Sequence, residues 1–199
     1  MISTMKFFLA LCASLAVVLS TAQTANPDHA AQCDAIMKKV ERLDMLNLIL
    51  PLLLEKDQIK KLLPAIEKAR QNVRIAQQKE YEELKKLEPE LDKMLSEAEN
   101  KDEIPKREYI LNAYSTIRRL YTARRLIADG NTQIVLEEFK KVANKGQQKT
   151  AAGSLTAAQI GFNGKPEELT DDIRLEAFVR EVLLHPSVYE ILRKLSVRN

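Results

Sequence analysis

Ile59-Lys60-Lys61-Leu62-Leu63-Pro64-Ala65-Ile66-Glu67-Lys68-Ala69-Arg70-Gln71-Asn72-Val73-Arg74-Ile75-Ala76 is the stretch that decides the fold. Its residues Ile59, Leu62, Ile66, Ala69, Val73 and Ala76 recur at steps of three and four, which lines them along one side of an α-helix. After an irregular turn, Leu84, Leu87, Leu91, Met94 and Ala98 resume the same steps. The slip between Ala76 and Leu84 resembles a coiled-coil stutter, a local unwinding of a supercoil. Glutamate and lysine fill the other faces, so the apolar stripe is narrow and suits packing against one antiparallel helix. Pro64 and Pro89 lack an N–H and crowd the preceding turn. They predict a bend at the first and a bend or a division at the second.

Downstream, Asn100 to Pro105 is a polar turn. A third helix is predicted from Lys106 to about Ala128, with Ile110, Ala113, Ile117 and Leu120 inward. Asp129-Gly130-Asn131 predicts a stop, after which Thr132 caps a fourth helix carrying Ile134, Leu136, Phe139 and Val142. The alternative is one helix running through Gly130. Residues 146–169, rich in Gly, Lys, Gln and Thr, read as a loop. Thr170 caps a last helix with Leu175, Phe178, Val179 and Val182 inward. Pro186 breaks it, and a final turn or two carries Val188, Tyr189 and Leu192.

Upstream, a first helix is predicted from about Asp34 to Leu50 on Ile36, Met37, Val40, Leu43 and Leu46, kinked or ended by Pro51. Residues 23–33 read as a flexible lead with a turn at Asn26-Pro27-Asp28. Before it, Lys6 precedes an apolar run from Phe7 to Leu19 that closes in Ser20-Thr21-Ala22. Spanning a bilayer core takes about 20 residues, so the run is too short for that and has the form of a secretory signal peptide over residues 1–22. Leu11 before Cys12 is too large for a lipoprotein signal. The expectation is an exported, periplasmic or secreted chain with no membrane insertion after cleavage.

The organisation is therefore all-α. A long antiparallel helical hairpin spans residues 34–145, and a C-terminal helical segment, residues 170–199, packs back on it. Aromatics are 5% of the chain, tryptophan is absent and charged residues are 30%, which suits long solvated helices and not a β-rich core. The formal net charge of +3 includes Lys6, so global charge gives no case for a nucleic-acid partner. Once residues 1–22 are removed, Cys33 is the only cysteine, a free thiol or an interchain bridge.

The residues carry no catalytic constellation. The two histidines are His29, in the lead, and His185, which precedes Pro186 at a helix junction and reads as a cap or a solvated side chain. No Ser-His or Cys-His pair has an orienting third group, and no glycine pattern matches a phosphate loop. His29 and Cys33 are four apart and would share a helical face, but a zinc site wants four ligands. No cofactor is expected. The third helix carries the most suggestive surface: Arg107, Tyr114, Arg118, Tyr121 and Arg125 share one face beside the apolar stripe. Tyr and Arg are favoured in protein-binding surfaces. The alternative is that the tyrosines edge the core and the arginines pair with the acidic end of the second helix, Glu80 to Glu99.

Leu54-Glu55-Lys56-Asp57-Gln58, which opens the second helix, resembles the LTxxQ motif of the Spy/CpxP group of bacterial periplasmic helical proteins. Leu54 and Gln58 match, and Glu55 stands in place of Thr. Leu155-Thr156-Ala157-Ala158-Gln159 matches at Leu155, Thr156 and Gln159, although Gly161, Gly164 and Pro166 follow at once. The resemblance implies a helical homodimer acting as an ATP-independent chaperone or envelope-stress factor, with the Arg-Tyr stripe as its client surface. Metal-responsive members of the group carry histidine-rich motifs that this chain lacks. The expectation is a non-enzymatic protein that binds other proteins. A structural or scaffolding dimer of the cell envelope is the reading from another class, and a metal-responsive factor is a third.

Overall fold

The computed structural model describes residues 27–101 and 103–198. The signal-peptide expectation lies outside the described residues. The chain divides into two units, residues 1–44 and 45–199. The first is described only by the N-terminal part of helix α1, Pro27–Ile49. This helix starts earlier than the predicted Asp34 and takes in residues 27–33 of the expected lead. A proline is tolerated in the first turn of a helix, where its missing N–H would have no partner, so Pro27 opens α1 and makes no turn. Ile36, Met37, Val40 and Leu43, whose spacing predicted the helix, are exposed.

The second unit is all-α, with no strand among the described residues. A 3-10 turn at Leu50–Leu52, with Pro51 in its first turn, ends α1. Leu53 then takes φ 49°, a left-handed conformation uncommon for a side chain with a Cβ. Helix α2 follows as Lys56–Lys101. It continues through Pro64 and Pro89, so Pro89 does not divide it.

Helix α3, Arg107–Val142, runs unbroken through Gly130, which corrects the expected stop. The reason lies across the hairpin. Asn131, expected to help end the helix, is buried. Its Nδ2 donates to the Ala69 carbonyl at 3.1 Å and its Oδ1 accepts from Asn72 Nδ2 at 2.8 Å. Thr132, expected as a cap, is buried mid-helix and bonds back to the Ala128 carbonyl. Tertiary contact overrides the local stop signal.

Residues 146–153, expected as loop, lie in helix α4, Lys145–Gly153. Asn144 Oδ1 accepts from Gln147 N at 2.9 Å and Gln147 Oε1 accepts from Asn144 N at 2.8 Å, a capping box. A 3-10 turn at Pro166–Glu168 leads to α5, Asp171–Phe178, capped by Thr170 as expected. A π-helical turn, Val179–Leu183, continues it and turns Val179, Val182 and Leu183 into the core. Helix α6, Val188–Ser196, closes the unit against α2.

Burial is uneven along the hairpin. Ile59, Leu62, Ile66 and Ala69 of α2 and Val135, Leu136 and Phe139 of α3 are buried with the C-terminal elements. Phe139 and Phe178 rings lie 6.2 Å apart, and the Arg70 guanidinium sits 4.2 Å above the Tyr189 ring. These contacts make a base. Beyond Ala69 of α2 and before Asn131 of α3 no core residue is buried among the described residues, and the hairpin continues there as an arm of α2 against α3.

Candidate protein-binding face

In the arm each helix lays a stripe against the other without burying it, because two helices alone cannot seal the seam. Val73, Leu84 and Leu91 of α2 and Ile110 and Ile117 of α3, all seam positions by periodicity, keep 37–41% of their surface exposed. Charge fixes the pairing. Arg124 holds Glu80 with both carboxylate oxygens engaged, Nε to Oε2 at 2.7 Å and Nη2 to Oε1. Arg119 Nη2 reaches Glu83 Oε2 at 2.6 Å. The Glu83 carboxyl is held below its ordinary range, first by the hydrogen bond from Lys86 and then by Arg119. The acidic end of α2 therefore does pair with α3, but through Arg119 and Arg124 and not through the stripe arginines.

The five stripe residues stay on the outside. Tyr114 and Tyr121 are 66% and 62% exposed. Arg107 and Arg118 are exposed and in no ion pair among the described residues, and Arg125 reaches only Asp129 on its own helix, at 3.9 Å. Arg124 lies 5.5 Å from the Tyr121 ring centroid, which steadies that ring at the edge of the seam. Tyr121 joins Leu84, Ile117 and Leu120 around a shallow groove of about 240 Å³. Nearer the base, Val73, Gln77 and Ala128 line a second groove of about 380 Å³.

Two antiparallel helices whose angular positions run the same way from the seam turn those positions to one side. Tyr81, Leu84 and Leu95 on α2 thus share a face with Tyr114, Tyr121 and Leu111 on α3. Tyr81, Leu95 and Leu111 are 55–60% exposed and were missed in the sequence because they lie off the main stripe. Their signal was apolar side chains at positions a solvated helix face would fill with charge.

The motif residues lie elsewhere. Leu54 is half-buried against the core. Gln58 Oε1 accepts from Glu55 N at 2.9 Å, and Gln58 Nε2 donates to the Val142 carbonyl at 2.7 Å and to Gln147 Oε1 at 2.9 Å. Leu155 is buried, and Thr156 and Gln159 cap each other across one turn. Each motif copy therefore starts a turn or helix in the base and touches nothing on the arm. His185 Nδ1 lies 2.8 Å from Ser187 Oγ and 3.3 Å from Ser187 N, closing the turn around Pro186. Cys33 is an exposed free thiol on α1, and among the described residues no three His, Cys, Asp or Glu groups converge on a metal position. No helix among them is long and apolar enough to cross a membrane. Compared with known proteins, the chain matches no family model, no curated protein and no solved structure.

Proposed function

We propose that this chain is an exported, non-enzymatic protein that holds other protein chains along the α2–α3 face, in the manner of a Spy-like ATP-independent chaperone. The observation that carries the reading is the uncovered face itself. A folded base keeps Tyr114, Tyr121, Leu84 and Ile117 in water beside Arg107 and Arg118. Contiguous apolar surface rimmed by polar groups marks an interaction site. Shallow grooves fit extended chain better than a compact small molecule. Arg107 and Arg118, in no ion pair among the described residues, favour an occupant that carries carboxylates among apolar residues, which is an unfolded acidic segment. Export rests on Lys6, the run Phe7 to Leu19 and Ser20-Thr21-Ala22. It predicts a native N-terminus between about Gln23 and Asn26 by mass spectrometry.

The test of binding is the double substitution Arg118→Ser/Arg125→Ser. Neither side chain holds the hairpin together, so the melting temperature should barely move. Suppression of aggregation of a denatured model protein should weaken, more for an acidic client than a basic one. Wild type that leaves such a client aggregating at its normal rate, at several-fold excess, would overturn the reading.

A further inference from the structure

Helix α1 carries a second uncovered stripe, and its spacing differs from that of the arm. Ile36, Met37, Val40 and Leu43 are 58%, 57%, 44% and 60% exposed. Counted in heptads from Cys33 at position a, Ile36 falls at d, Val40 at a and Leu43 at d. Lys39 then falls at g and Asp44 at e, and the count carried along the same helix puts Asn47 at the next a. A repeat of 3.5 residues is the pattern of a helix that wraps around another helix.

We propose that α1 pairs with α1 of a second copy of this chain as a parallel two-stranded coiled coil. Charge selects both the occupant and the direction. In a parallel pair the g residue of one heptad meets the e residue of the next heptad on the other strand. Lys39 therefore meets Asp44 of the second copy, twice by symmetry. Antiparallel strands set g against g and e against e, so Lys39 and Asp44 never meet. In the heptad that starts at Val40, Val at a with Leu43 at d favours two strands, and a polar residue at a single a position, here Asn47, fixes register. The coil is short, a few heptads at most, so association is reversible and concentration-dependent. Cys33 faces its own copy at an a layer, which gives the pairing a chemical readout.

The test uses full-length chain with Cys12→Ser, so that Cys33 is the only thiol. Oxidised glutathione is the added oxidant. Two Cys33 thiols join as one interchain disulfide, and the reagent leaves as two glutathione thiols. A self-linked dimer is expected at Cys33 and again at position 40 in Cys33→Ser/Val40→Cys, because both are a layers. A mixture of Cys33 chain with Cys33→Ser/Leu43→Cys chain should give no mixed disulfide, and a strong mixed product would overturn the parallel direction. Without oxidant, sedimentation equilibrium should show a dimer whose Kd rises at least about tenfold in Val40→Asp, with helix content unchanged. Arg118→Ser/Arg125→Ser should leave that Kd alone, which separates this surface from the arm. Wild type that stays monomeric as concentration rises, or a dimer indifferent to Val40→Asp, would overturn the proposal.

Discussion

Replacing Gln147 with alanine tests how the base is locked to the start of α2. The Gln147 side chain makes four hydrogen bonds: to Asn144 N, to both polar atoms of the Gln58 amide, and to the carbonyl of left-handed Leu53. A net hydrogen bond contributes on the order of 0.5–1.5 kcal/mol, and loss of a cap costs about 1 kcal/mol. Gln58 keeps Val142 O and Glu55 N as partners, and water reaches Asn144, so the loss is less than the sum of four. The expected destabilisation is about 2–3 kcal/mol, or roughly 4–12 °C in melting temperature for a domain of this size. Urea unfolding of wild type, Gln147→Ala, Gln58→Ala and the double variant completes a cycle. Because the two amides bond each other reciprocally, the cycle should show a coupling of about 1 kcal/mol. Additivity to within about 0.5 kcal/mol, or a Gln147→Ala loss below that, would refute the lock.

Gly130 sits inside α3 with open space where a Cβ would go, so Gly130→Ala should stabilise the protein by about 0.5–1 kcal/mol in urea unfolding. Destabilisation would contradict an unbroken α3. Glu67 is held below its ordinary carboxylate range, first by a hydrogen bond from Arg74, with Arg70 adding to it. A lowered folded value contributes stability above the ordinary range that is lost as pH falls through the folded value. Glu67→Gln should therefore unfold more easily than wild type at pH 7, with the gap closing below the ordinary value of 4.5. A gap that persists in strong acid would assign the effect to packing.

The hairpin was legible because Ile59, Leu62, Ile66 and Ala69 repeat on one side of α2 and their counterparts on α3 do the same. What the sequence hid depended on partners far along the chain. Asn131 and Thr132 beside Gly130 spell a helix stop locally. The Ala69 carbonyl that makes Asn131 a register pin lies 62 residues away. Helix α4 was hidden by its lysines, glutamines and glycine, although Asn144-x-x-Gln147 is a readable capping box. The π-helical turn has no local signature, since what it serves is the fit of Val179, Val182 and Leu183 to a core assembled by other elements. On the arm, the periodicity that found Arg107, Tyr114, Arg118, Tyr121 and Arg125 could not say which arginines would be spent on ion pairs. Arg119 and Arg124 were, because their positions lie on the far side of the seam and at the seam itself.

The uneven burial along α2 makes one covalent rod belong to two thermodynamic regimes. Amides around Ile59 to Ala69 lie under a full core, so their exchange with solvent waits for global unfolding. Amides around Leu84 to Leu95 are backed by one helix and half-wet side chains, so they exchange through partial opening at far lower cost. The arm can loosen and re-form while the base keeps the two helices of the hairpin in register.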